Sequence, residues 1–182
     1  SSWRRSVASA RSASASFQYD PLGRRMEKRV VHWQDEDGGR EPDEEEEGRP
    51  RVTRYLYDQE DILVTFDDAG HELGRYTHGP GIDEPLAEVR RDRTRFYHAD
   101  VLGSILALSE KHGNPIRSYQ YSAFGLPADH QGDSQPYRYT GREWDKEVGL
   151  YYYRARYYAP RFGRFLREDP IARARGGPNL YA

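Results

Sequence analysis

The chain contains no cysteine and a single methionine among its 182 residues. Disulfides and thiolate metal sites are thereby excluded, and the redox compartment stays open. Long apolar runs are also missing: hydrophobic residues make up 36%, the mean hydropathy is -1.04, and no stretch has the length of a membrane-crossing helix. Residues 1–16 lack the apolar centre of a signal peptide. The formal net charge of -2 gives no strong pull towards nucleic acid or a membrane surface. Helical periodicity is likewise absent over any window longer than about ten residues.

What the chain has is tyrosine, 15 residues against 6 phenylalanines and 3 tryptophans. Tyrosine suits half-buried strands, because its ring packs while its hydroxyl stays wet. Short strand-like runs recur, among them Arg51–Tyr57, Ile62–Phe66, Arg95–His98, Ser104–Leu108 and Ile116–Tyr121. Between them lie repeated turn signals: Tyr19-Asp20-Pro21-Leu22-Gly23, Phe66-Asp67-Asp68-Ala69-Gly70, Asp100-Val101-Leu102-Gly103 and Tyr121-Ser122-Ala123-Phe124-Gly125. Asp or Ser caps such a turn and Gly takes its positive φ. The pattern predicts an all-β fold, a long antiparallel meander of hairpins. Residues 1–16, rich in Ser, Ala and Arg, are expected to be a disordered lead-in. The acidic stretch 35–50 reads as a solvated loop without the spacing of a calcium site.

Tyr19-Asp20-Pro21-Leu22-Gly23-Arg24-Arg25, the degenerate Tyr55-Leu56-Tyr57-Asp58, the run Tyr97–Ser104 and the run Tyr119–Pro127 together resemble the Rhs/YD-repeat proteins, the shell-forming part of bacterial polymorphic toxins. The segment from Tyr139 to Ala182 is similar to the C-terminal core-associated segment of that family. The resemblance implies three parts: the lead-in (1–16), YD/Rhs repeats (17–140), and a plug segment (141–182). It implies a hollow β-cocoon that encloses a C-terminal toxin domain lying outside this chain, with a secretion-system component as a further partner. It also implies a bacterial protein that is secreted or displayed at the cell surface. No cofactor, metal or nucleic-acid partner is expected.

In many members of the family the plug is also an intramolecular aspartyl protease that frees the toxin. The resemblance carries the catalytic pair onto Asp145 and Asp169. Asp145 precedes Gly149-Leu150, and the 18 residues Tyr151–Glu168 separate that element from Asp169-Pro170. Two carboxyls on one water suit peptide hydrolysis, because one keeps its proton while the other ionises. The Tyr151–Tyr158 and Arg164–Leu166 strands, folding back at Ala159–Gly163, would bring the two together. Arg154, Arg156 and Arg164 are candidates to hold the carboxylates, or else cross-strand cations between tyrosine rings. The sequence departs from the family at the cut, with Ala172-Arg173 where Gly-Leu is expected. Cleavage is placed at Arg173–Ala174, and the rival readings are a silent structural shell and an adhesive surface module. His98 and Asp100, two apart, read as hydrogen-bonding groups at a strand end in preference to metal ligands.

Overall fold

One turn, used five times, organises the chain. In the turns closed by Asp20–Arg24, Asp67–His71, Asp100–Ser104, Glu110–Asn114 and Ser122–Leu126, the first residue's N–H donates to the fifth residue's carbonyl. Its own carbonyl accepts from the glycine three residues on. Each of those glycines has φ between 80° and 86°, where a side chain would be strained. In two of them the capping carboxylate does double work: Oδ1 of Asp20 accepts from the Leu22 and Arg24 amides, and Oδ1 of Asp100 from Leu102 and Ser104, all at 2.9 Å. The aspartates in the sequence pattern are there to satisfy turn amides.

The computed structural model describes residues 3–10, 13–32, 50–128 and 135–167. Ten strands form one antiparallel sheet in chain order: β1 Trp3–Ala10, β2 Ala13–Tyr19, β3 Arg25–His32, β4 Arg51–Asp58, β5 Asp61–Phe66, β6 Glu72–His78, β7 Pro85–Arg90, β8 Arg93–Ala99, β9 Ile105–Glu110 and β10 Pro115–Ser118. A second, four-stranded antiparallel sheet follows: β11 Glu143–Asp145, β12 Leu150–Tyr153, β13 Arg156–Ala159 and β14 Arg164–Phe165. The only helical element among the described residues is a 3₁₀ turn at Tyr139–Gly141. The expected antiparallel meander is therefore the fold. The acidic stretch 35–50 lies outside the described residues except for Pro50.

Two expectations are corrected. The stretch expected as a lead-in instead carries β1 and the start of β2, and the two strands pair with each other along Trp3–Val7 and Tyr19–Ala15. Its period-two pattern is written in small residues: Ala13, Ala15 and Phe17 are buried while Ser14 and Ser16 are not. Small side chains fit there because Val148 and Tyr157 of the second layer press against them. Similarly, Tyr151–Tyr158 is two strands, broken by the two-residue turn Arg154-Ala155 with Tyr153 opposite Arg156. Arg154 adopts φ 55° there, a turn with none of the usual Gly or Asn markers.

The inner face of the large sheet is lined by Tyr55, Ile62, Tyr76, Tyr97, Ile105 and Leu108, over which Tyr119 and Tyr137 lie. Fully burying an aliphatic side chain such as Ile105 or Leu108 contributes about 1.5–3 kcal/mol. The tyrosines fill the core and keep their hydroxyls paired: Tyr97 donates to Glu88 at 3.0 Å and Tyr121 to the Ile105 carbonyl at 2.7 Å. A sheet this poor in aliphatics thus closes with rings.

Candidate functional site

The small sheet has two faces. On one of them the Trp144 and Tyr151 rings touch, and Tyr153, Tyr158 and Phe165 form a second group of touching rings. Glu143, Asp145, Tyr152 and Tyr157 face the other way, onto β2 and β3. There Tyr157 meets Phe17 and Tyr19, its hydroxyl 2.8 Å from that of Tyr19. The Tyr152 hydroxyl donates to the Gly23 carbonyl at 3.0 Å.

At the centre of this interface sits Arg25, whose side chain is 1% exposed. Its Nη1 donates to Oδ2 of Asp145 at 2.6 Å, and its Nη2 donates to Oε2 of Glu143. The guanidinium also lies 4.5 Å from the Tyr152 ring centre and 5.0 Å from that of Tyr55. Lys28 completes the cluster, with Nζ 2.8 Å from Oδ1 of Asp145 and 2.7 Å from Oε2 of Glu147. Arg25 and Lys28 are three apart in sequence yet meet the same carboxylate. A bulge opposite Gln18 and Tyr19 permits this: Gln18 pairs with Glu27 and Tyr19 with Arg25, so Met26 is the extra residue.

Two cations thus face three carboxyls in a largely buried interface. Burial by itself would raise the pKa of Asp145, but Arg25 and Lys28 outweigh it and hold the group below the usual carboxylate value. For Glu143 burial prevails over Arg25, and the neighbouring charge of Asp145 adds to it, so its carboxyl is pushed up. The two carboxyls are thereby pushed in opposite directions, Asp145 down and Glu143 up.

The remaining predicted residues lie elsewhere. Arg154 bonds Asp83 at 3.0 Å and Glu60 at 2.9 Å, and Arg156 stacks 3.6 Å over the Phe165 ring. Arg164 is an exposed residue of β14. The cations at Asp145 are Arg25 and Lys28, supplied by β3 from the other end of the chain. Asp169, Arg173 and Ala174 lie outside the described residues. His98 hydrogen-bonds Ser109 at 2.8 Å and Asp100 caps its turn, as a strand-end role requires.

Beside the cluster lies a polar cavity of about 30 Å³, room for about two water molecules. Tyr57, Asp61, His78, Tyr137 and Glu143 line it, with Arg142 and Arg154 at Asp83 forming one wall. Asp145 is not among its walls. His78 had no part in the sequence reading; its Nε2 is 3.0 Å from the Tyr137 hydroxyl, while its buried Nδ1 has no partner among the described residues. Burial pushes its pKa down.

No family model matches the chain. It is 33% identical over 162 residues to the tRNA nuclease WapA of Bacillus subtilis (strain 168), covering 86% of this chain and 6% of that protein. It is 28% identical over 189 aligned positions to the double-stranded DNA deaminase toxin A of Burkholderia cenocepacia (strain H111), covering 91% of this chain and 12% of the relative. Among solved structures, the TcdB2–TccC3 complex superposes on 96% of the chain with a TM-score of 0.64 and 22% identity, using 9% of that longer chain. The chain is therefore a small part of the length of the relatives it matches. With its YD turns, its all-β meander and these toxin relatives, the chain belongs to the Rhs/YD-repeat family of polymorphic toxin proteins.

Proposed function

We propose that this chain is part of a container wall that holds a toxin, and that its small sheet closes one end of that wall. The observation carrying this reading is that one region matches proteins named for different activities. A tRNA nuclease and a DNA deaminase toxin share it, each over more than four-fifths of this chain. A part common to unlike activities suits a carrier role better than either activity. The buried cluster supports the same view, since it fastens residues 143–147 to Arg25 and Lys28 about 120 positions earlier. The enclosed partner would be the protein's own C-terminal toxin domain. Limited proteolysis of the full-length protein tests this. The toxin domain should resist added protease in the intact protein and become accessible in Arg25→Met. Equal accessibility in both proteins contradicts enclosure.

Self-cleavage at Arg173–Ala174, with Asp145 and Asp169 as the carboxyl pair, is the second part of the proposal. The observation favouring it is that Asp145 is buried and held ionised by Arg25 and Lys28, as one member of an unequal carboxyl pair would be. The chain also leaves the small sheet at a suitable place. The Leu166 amide bonds the Tyr157 carbonyl, Tyr157 pairs with Tyr152, and Tyr152 pairs with Glu143. Three strand spacings, about 14 Å, separate Leu166 from Glu143. The seven residues from Leu166 to Arg173 can span up to about 24 Å, enough to return. Asp169→Asn in the full-length protein should abolish the cut; an unchanged cut in that variant removes Asp169 from the mechanism.

A further inference from the structure

We infer that the β13–β14 edge of the small sheet is a docking surface for an extended polypeptide segment bearing acidic and apolar side chains, supplied by the enclosed toxin domain. The occupant rests on the container reading above. In a chain of net charge -2, residues 150–167 hold five arginines and no Asp or Glu. Arg154 is committed to Asp83 and Glu60, and Arg156 to the Phe165 ring. Arg161, Arg164 and Arg167 are exposed, with no carboxylate bonded to them among the described residues. Between them stand Phe162 and Leu166, 68% and 46% exposed, and beside them Phe124 at 60%. Phe124 belongs to the same surface: a Cβ at Gly163 would lie 3.0 Å from its ring, and the Tyr158 hydroxyl donates to its carbonyl at 3.1 Å. Large rings left in water mark a contact site, and charge of one sign selects its partner.

A polypeptide fits this edge because its backbone is open. β14 ends the sheet order, with β13 as its one neighbour among the described residues. The Leu166 amide donates inward to the Tyr157 carbonyl at 2.8 Å, so strand alternation turns the Phe165 N–H and carbonyl outward. An added strand would pair there, its carboxylates meeting Arg161, Arg164 and Arg167 and its apolar side chains meeting Phe162, Leu166 and Phe124. The enclosed chain is well placed to supply it. Tyr152 and Tyr157 turn one face of the small sheet onto β2 and β3, so its other face, with Phe165, looks away from that wall. In the container reading the polypeptide runs on from Arg167, at this edge, to the toxin domain.

The test uses the full-length protein with the photoreactive residue p-benzoylphenylalanine in place of Phe162 or, as a control, of Phe96, exposed on β8 beside the inward-pointing Tyr97. Crosslinked peptides are identified by mass spectrometry after irradiation. Position 162 should join toxin-domain peptides in which Asp and Glu outnumber Lys and Arg, and position 96 should not. Combining Arg161→Glu, Arg164→Glu and Arg167→Glu should lower the yield from position 162 about tenfold, while Lys at all three should leave it within about threefold. Crosslinks to basic toxin peptides, to a second copy of the chain, or to added single-stranded RNA or phosphatidylserine vesicles in place of the toxin domain overturn the inference. So does a yield unchanged by charge reversal, since the arginines would then only guard an exposed edge. Limited proteolysis of the same samples separates the two readings. A toxin domain that resists protease yet gives no crosslink overturns the docking surface and leaves the container standing. A toxin domain open to protease removes the container, and crosslinks to it from position 162 would still uphold the surface.

Discussion

Arg25→Met probes the fastening between the two sheets. Methionine keeps the apolar stem against Phe17, Tyr55 and Tyr152 but removes the charge that both Glu143 and Asp145 use. Asp145 would retain Lys28, whereas Glu143 would lose the only cation bonded to it among the described residues. Breaking a buried ion pair by deleting one partner costs about 3–5 kcal/mol. At about 1.4 kcal/mol per decade, local opening of β11 should become about two to four decades more frequent. Hydrogen–deuterium exchange of the full-length protein reads this directly on the amides of Glu143–Asp145, with β8 and β9 as the internal control. Less than a tenfold acceleration at β11 would mean that ring packing holds the sheets together and the charges are incidental.

The pH dependence of the same opening has a defined sign. Asp145, held below the usual value, contributes stability above about pH 3.9, which is lost as pH falls through its folded-state value. Glu143, pushed up, acts in the opposite sense: its protonated form is favoured in the fold, so stability falls as pH rises through its folded-state value. Acidification through the folded-state value of Glu143 should therefore tighten β11 before stronger acid loosens it, a maximum that exchange at stepped pH would reveal. Gly23→Ala and Gly125→Ala separate backbone strain from collision. Both need positive φ, about 1 kcal/mol, but only at Gly125 would the new methyl run into the Tyr139 ring, so urea midpoints should fall further there. Asp100→Ala leaves two turn amides without their acceptor and should cost about 1–2 kcal/mol by the same measurement. Ala15→Leu overpacks β2 against the second layer and should cost about 1–3 kcal/mol, whereas a disordered segment would be indifferent.

The meander was legible because its turns are punctuated. Asp or Ser followed three residues later by Gly marks Asp20, Asp67, Asp100 and Ser122, and all four close hairpin-type turns. Where punctuation is missing, the reading failed. Tyr153-Arg154-Ala155-Arg156 turns on a non-glycine at positive φ, and nothing in that tetrapeptide separates it from strand. β2 was overlooked because its alternation is carried by alanine, whose burial depends on a layer about 140 residues away. Asp145, which the sequence points to as a carboxyl of interest, is buried, but of the arginines expected beside it Arg154 and Arg156 bond or stack elsewhere and Arg164 is exposed. Its true partners come from β3, and the bulge at Met26 turns Arg25 and Lys28 to one side against the period-two rule. Glu143 and His78 carried no local motif; only the fold brings them to the same cavity.

Intact-mass measurement of the purified full-length protein, set beside its Asp169→Asn variant, addresses the proteolytic claim most simply. Two fragments joining at Arg173 and Ala174 in the first, and one uncut chain in the second, are the predicted outcome. A single mass equal to the whole translated sequence in both would contradict it.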